Sequence, residues 1–141
     1  MTIKLTGLVL VSVESAEQVI SRNAGEAIPA KAAVCLGESD GKVYKAKADS
    51  STTMPAIGIT KESVSAGNTA KVYQSGIVTS VLREADFSPD DMVFVSPVTA
   101  GKVTKTPLET VGYLVQRIGR AINTSDIVLQ IDQTYVELME V

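Results

Sequence analysis

The sequence predicts an all-β protein: a small barrel or sandwich of short strands, built from two pseudo-repeated halves, with little helix. Three observations carry this. Short runs rich in Val, Ile, Leu and Thr recur with turn-forming clusters between them, the signature of strands at close spacing. No window sustains an apolar period of 3.6 residues. One stretch, "GKVYKA" at residues 41–46, has a near-copy, "GKVTKT", at residues 101–106.

Taken in order, residues 3–13 alternate apolar and polar positions well enough for a strand, with Lys4, Thr6 and Ser12 on the polar side. "SAEQVI" (residues 15–20) suits one helical turn, which Gly25 would stop. Strands are then expected at residues 32–36, 42–46, 56–60, 69–74, 77–82, 92–95, 102–104, 112–122 and 127–131. The breakers between them are "GESDG", "DSSTTMP", "SAGN", "SG", "DFSPDD", "SPVTAG" and "NTSD". "TYVELMEV" reads as a final strand or a short helical turn.

The copied stretch belongs to a longer duplication. "AVCLGESDGKVYKAKADSSTTMPAIGIT" aligns with "MVFVSPVTAGKVTKTPLETVGYLVQRIGRA". Each copy runs strand, turn, Gly-Lys-Val strand, loop, then an Ile-Gly pair (Ile57-Gly58 and Ile118-Gly119) and a strand ending in glutamine. The offset is 60 residues at Gly-Lys-Val, 61 at Ile-Gly and 56 at the glutamine. Landmarks in the same order indicate a pseudo-repeat. The chain therefore divides into an N-terminal strand or arm (1–22), a first repeat (23–82), a second (83–132) and a C-terminal strand or tail (133–141). Units of this size are too small to be comfortable alone and are expected to share one core. The Ile-Gly pairs mark a bulge or a close backbone approach.

Composition removes whole classes of function. With 13 basic and 16 acidic residues the net charge is -3, and the lysines are scattered. A clustered basic face for nucleic acid is missing. Histidine is absent and Cys35 is the only cysteine. That excludes Ser-His and Cys-His catalysis, an intrachain disulfide and a multi-cysteine zinc site. The apolar run near the N-terminus falls short of the ~20 residues that span a bilayer, and a β-rich start is preferred over a signal peptide. No nucleic-acid or membrane partner, and no cofactor, is expected.

Could Gly-Lys-Val be chemical? A phosphate loop needs a glycine five residues before the Gly-Lys pair and a hydroxyl residue after it, whereas Val43 and Val103 stand there. Biotin- or lipoate-carrier domains present one lysine at one apex, not one in each half. "SDGK" (residues 39–42) matches S-x-x-K only formally, since it spans a glycine turn. Asp86, Asp90 and Asp91 lack an EF-hand spacing and read as a solvated turn. The Gly-Ile-Asp-x-x-Tyr pattern of dUTPases is missing, and "NTS" at Asn123 lies in a predicted turn. The chain is not expected to be an enzyme, and the glycine-lysine copies read as architecture: glycine at a positive-φ turn, lysine as its exposed flank.

The ordered landmarks between residues 23 and 132 ("NAGEAIPAKAAV", Gly-Lys-Val, Ile-Gly, "AGNTAKV", "QSGIV", then "FSPDDMV" and the second half) resemble the small β-rich modules of tailed-bacteriophage virion proteins, above all capsid decoration (cement) proteins. The resemblance implies a structural protein that binds the outer capsid surface as an oligomer, commonly a trimer, with the major capsid protein as partner. It would reside in the virion and be assembled in the host cytoplasm. A fibre- or tail-associated module is the alternative within that class, and a small β-barrel ligand- or carbohydrate-binding protein the alternative outside it. Where the pattern often carries a glycine followed by Asp or Lys, "PAKAAV" has lost the glycine and "SPDDMV" has Asp90 in its place, both at turns. The candidate contact element is the N-terminal strand, with Thr2, Ile3, Lys4, Leu5, Leu8 and Leu10 as candidate partner-contact residues; it could add to a neighbouring sheet edge or be the first strand of the protein's own barrel.

Overall fold

The computed structural model describes residues 18–106, 109–132 and 134–139. These form twelve short strands: β1 (Val19–Asn23), β2 (Ala33–Leu36), β3 (Val43–Lys45), β4 (Ala56–Thr60), β5 (Thr69–Tyr73), β6 (Ser75–Val78), β7 (Met92–Val95), β8 (Val103–Thr104), β9 (Leu114–Val115), β10 (Arg117–Ala121), β11 (Ile127–Gln130) and β12 (Val136–Glu137). One 3-10 turn at Ser51–Thr53, capped by the Ser50 hydroxyl, is the helical element among the described residues. The fold is all-β, with three antiparallel sheets in a sandwich-like arrangement.

The two large sheets have the same topology. The first runs β1-β5-β4-β2-β3 and the second β6-β11-β10-β7-β8, so each strand of one has a counterpart in the other. A small third sheet pairs β12 with β9. The correspondence extends to register. In the first sheet Val34 faces Gly58, and the ladder slips before Cys35 meets Ala56. In the second, Val93 faces Gly119, and the ladder slips before Phe94 meets Arg117. Each Ile-Gly pair thus sits at a bulge. A Cβ on Gly58 would collide with the Tyr73 carbonyl oxygen, and one on Gly119 with that of Val128, so bulge and close backbone approach occur together. Each sheet also curls, because the chain following its first strand bridges its last: Ala24 pairs in parallel with Val43, and Arg83 with Val103.

Several sequence expectations need correction. Residues 19 and 20, assigned to a helical turn, lie in β1, where Val19 pairs with Tyr73 and Ile20 with Val72. β-Branched residues joined to a ready sheet edge override weak helix propensity, and the first sheet begins before residue 23. The expected strand 112–122 is two strands, because Gln116 leaves the ladder to bond elsewhere. The strand expected at 77–82 is β6, which spans only Ser75–Val78, so residues 79–82 lie outside it. The closing glutamines are not equivalent: Ile59 faces Tyr73 and Arg120 faces Val128, so the counterpart of Gln74 is Leu129. The expected strand at residues 3–13 lies outside the described residues.

Pleating sorts the side chains into two cores. Residues Val34, Val43 and Val72, with Ala24, Ile28, Ala32 and Ala70, form a small cluster on one face of the first sheet. The opposite face, carrying Ala33, Cys35, Ile59 and Tyr73, contributes to a larger cluster with Val78, Val93, Val103, Ile118 and Ile127 of the second sheet. Those last five are the register counterparts of Ile20, Val34, Val43, Ile57 and Val72. The outer face of the first sheet therefore packs on the inner face of the second, head to tail, and the large core belongs to both halves.

Main-chain bonds stitch the same seam. Ala33 N–H donates to the Gly101 carbonyl and Gly101 N–H to that of Ala46, both at 2.8 Å; Ala48 N–H donates to Ser96 at 2.9 Å. Buried Gln116 completes the junction. Its amide accepts from Ala56 N–H at 2.7 Å and donates to the carbonyls of Ala56 at 3.0 Å and Asp132 at 2.7 Å. A side chain here substitutes for a strand neighbour, satisfying groups that would be costly to bury alone.

Candidate interaction surface

The sheet positions on the outer face of the second sheet form a row: Ile77 faces Val128, Val128 faces Arg120, and Arg120 faces Met92. Exposures are 61% at Ile77, 37% at Val128 and 47% at Met92. In the first sheet the corresponding row is Val19, Tyr73, Ile59 and Ala33, where Val19 is 41% exposed, Tyr73 9% exposed and Ile59 and Ala33 fully buried. Apart from the edge position, Val19 or Ile77, the same row of the fold is thus an internal interface in one half and, among the described residues, an open face in the other. Arg120 crosses that open face tethered by an ion pair to Asp90 at 2.8 Å. Exposed apolar side chains in register, here interrupted by Arg120, mark an association surface more strongly than scattered ones.

β6, at the rim of this face, is an edge strand of its sheet. The chain reaches it twice. β5 runs directly into it through Gln74, and Gln18 N–H donates to the Ser75 hydroxyl at 3.3 Å while Gln74 N–H donates to the Gln18 carbonyl at 2.7 Å. Gln18, the first described residue, therefore stands beside the start of β6. The candidate contact residues Thr2, Ile3, Lys4, Leu5, Leu8 and Leu10 all precede it and lie outside the described residues. Sequence reasoning missed the Ile77, Val128 and Met92 row, because the outward side of a strand looks alike whether or not a neighbouring sheet covers it.

A second feature is a groove of ≈ 380 Å³ lined by Glu84, Ser96, Val98, Thr104, Glu109 and Tyr113, among others. The duplication explains its origin. In the first half Gly25 and Gly37 flank the Tyr44 ring, which would clash with a Cβ on either. The Tyr44 hydroxyl donates to Asp40 at 2.7 Å. That bond raises the Tyr44 pKa above its ordinary value and lowers that of Asp40. At the counterpart positions stand Glu84, Ser96 and Thr104, and no ring fills the slot. The groove is nonetheless poorly equipped for nucleophilic chemistry: the Ser96 hydroxyl donates to Glu84 at 2.8 Å and accepts from the N–H groups of Val98 and Thr99.

The remaining reactive groups are held by structure. Burial pushes the Cys35 thiol up to about 11, with the nearby Glu26 charge adding to the effect, so it is protonated at neutral pH and a poor nucleophile. Asp126 is held below the usual carboxylate range, chiefly by the Asn123 amide and then by Ser80 N–H, and it braces the turn that carries "NTS". Among the described residues no three Cys, Asp or Glu side chains gather into a metal-binding group, and no helix is long and apolar enough to cross a membrane. Gly41 and Gly101 have φ of 68° and 87°, the left-handed turn conformation expected of the Gly-Lys-Val copies.

The fold and surface thus define a class no narrower than a duplicated, head-to-tail β-module with an open apolar sheet face. No family model matches the chain, and a search of curated proteins finds no significant match.

Proposed function

We propose that the chain is a structural virion protein of a tailed bacteriophage, a capsid decoration protein that binds the outer shell as an oligomer and stabilises the head. The observation that supports this best is the head-to-tail junction of the halves. Two like sheets share a large aliphatic core, and main-chain bonds from Ala33, Gly101 and Ala48 run across the seam. A block built this way resists shear because displacing one half breaks backbone bonds and core packing together. Such a protein needs rigidity and complementary area, since modest contacts repeated over a symmetric shell add through avidity. The major capsid protein is the proposed partner, and the N-terminal segment with Ile3, Leu5, Leu8 and Leu10 the proposed contact element, adding to an edge of the shell.

The test is titration of the purified protein onto empty expanded capsids of the phage that encodes it, imaged by cryo-electron microscopy. Added density at threefold or quasi-threefold positions is expected, with at least tenfold weaker binding for Leu5→Asp/Leu8→Asp. Binding to tail or fibre, or none to the shell, overturns the decoration reading.

A further inference from the structure

We infer that the groove beside Thr104 in the second half is a binding site for a neutral pyranose sugar. The first half shows what the equivalent place holds. There the Tyr44 ring lies between Gly25 and Gly37, and its hydroxyl donates to the Asp40 carboxylate at 2.7 Å. Main-chain bonds establish the equivalence. Gly25 N–H donates to the Val43 carbonyl and Glu84 N–H to that of Val103, while Gly37 N–H donates to Lys42 and Ser96 N–H to Lys102. Tyr44 pairs with Cys35, and Thr104 with Phe94. One half thus plugs this place with a hydroxylated six-membered ring of its own, bonded to a carboxylate. The other presents a carboxylate, Glu84, and no ring. Glu84 and Ser96 carry side chains where the two glycines have none, so an occupant is displaced towards Val98 and Tyr113, which continue the lining.

The polar groups of the groove select the ligand. Its volume of ≈ 380 Å³ falls within the about 300–1,000 Å³ of small-ligand sites. Ser96 is fully buried; its hydroxyl accepts from Val98 and Thr99 N–H and donates to Glu84 Oε1 at 2.8 Å. The carboxylate is thereby held in one orientation, with Oε2 unpartnered among the described residues. Thr104 is 6% exposed. Its Oγ1 accepts from Thr106 N–H at 3.1 Å, and its own proton goes to no acceptor among the described residues. A buried hydroxyl with an uncommitted proton on a groove wall calls for an acceptor in the groove. The ligand must therefore donate to Glu84 and accept from Thr104. An ammonium group only donates and a carboxylate only accepts, whereas a hydroxyl does both. Half-buried Tyr113 adds an aromatic body with a polar tip. Its position is fixed, since its N–H donates to the Thr110 carbonyl at 3.1 Å and its carbonyl accepts from Leu138 N–H at 2.9 Å. A pyranose, with an apolar ring face and a rim of hydroxyls, matches both kinds of wall. Among the described residues neither Glu84 nor Glu109 has an ion-pair partner, and no lysine or arginine lines the groove, so an acidic sugar is repelled.

This site does not rest on the virion reading, and the capsid titration and the present test can each fail without affecting the other. The full chain, ¹⁵N-labelled, is titrated with the methyl glycosides of glucose, galactose, mannose and N-acetylglucosamine while amide chemical shifts are followed. At least one glycoside is expected to give saturable shifts centred on Glu84, Ser96, Val98, Thr104 and Tyr113. A dissociation constant of about 1–10 mM suits a ligand of about a dozen heavy atoms. Thr104→Val removes the hydroxyl and keeps the shape, and at least fivefold weaker binding is expected. The triple variant Glu84→Gly/Ser96→Gly/Thr104→Tyr rebuilds the plug of the first half and should abolish the shifts. Should it fail to fold, Thr104→Val decides. Cadaverine and methyl glucuronide, titrated in parallel, are expected to bind at least tenfold more weakly than the best glycoside. No saturable shift at these amides with any of the four glycosides up to about 50 mM overturns the proposal. So does undiminished binding by Thr104→Val. Tighter binding of cadaverine than of every glycoside assigns the groove to cations and overturns it as well.

Discussion

At Ile59 and Arg120 the two halves of the molecule hold the same place in the same ladder and meet opposite surroundings. Ile59 is fully buried under the second half; Arg120 lies on an open sheet and pairs with Asp90. The Gly-Lys-Val copies diverge likewise. Gly41 turns with nothing near its missing side chain, while Gly101 sits in the seam against Ala32 and Lys45 and bonds to Ala33 and Ala46. Backbone equivalence is preserved, and side-chain chemistry follows what each face touches. In a head-to-tail pair of repeats, one outer face becomes core and the other stays a surface.

Truncations on the two faces test this most strongly. Tyr73→Ala and Ile59→Ala remove side chains from the shared core and are expected to cost about 3–5 and 2–5 kcal/mol respectively. Their counterparts Val128→Ala and Arg120→Ala are expected to cost about 1 kcal/mol or less, since an exposed ion pair contributes little. Urea denaturation of the four variants measures the contrast. Matched losses on both faces would mean that the second sheet's outer row is as tightly packed as the first's, and the comparison would break.

A smaller effect should be shared by both halves. Alanine at Gly58 or Gly119 drives a methyl group into a backbone carbonyl oxygen across the bulge, and a backbone atom yields less readily than a side-chain tip. Each substitution is expected to cost about 1–3 kcal/mol, with the two values agreeing within about 1 kcal/mol. Unequal costs, read from denaturation midpoints, would show that the bulges are alike in register but not in packing.

How much of this was legible in the sequence depended on whether the signal was local. The Gly-Lys-Val and Ile-Gly landmarks marked turns and bulges because glycine carries backbone geometry wherever it stands. Residues 56–60 and 92–95 became β4 and β7 with those bounds, as β-branched runs between breakers should. Val19 and Ile20 carry no local sign of their strand, because their partner, β5, is distant in sequence and no local pattern announces it. Gln116 looked like an ordinary strand residue, since its role is to bond Ala56 and Asp132 across the seam. The open face was illegible for a related reason. Met92 and Val128 fall in the expected strands 92–95 and 127–131, and only head-to-tail stacking reveals that the first half does not cover them.

The smallest test concerns Lys31 and Asp90, which hold equivalent places. Each donates its N–H to the last residue of the partner strand, Thr60 or Ala121, and each has a positive φ, 63° and 77°. A side chain in that region costs roughly 1–2 kcal/mol, which glycine removes, at an entropic cost of about 0.5–1 kcal/mol from a freer unfolded chain. Those terms nearly cancel, so the remaining contacts decide the sign. Asp90→Gly loses one exposed ion pair to Arg120 and is expected to lie within about 0.5 kcal/mol of the parent. Lys31→Gly loses more: its ammonium donates to the Thr79 carbonyl at 2.8 Å and lies 5.9 Å from the Tyr73 ring centroid. That clasp joins the first half to the segment after β6, and its removal should leave Lys31→Gly about 1 kcal/mol less stable than Asp90→Gly. Equal midpoints for the two glycine variants in parallel urea titrations would show that the clasp contributes nothing. The two turns would then be equivalent in energy as well as in geometry.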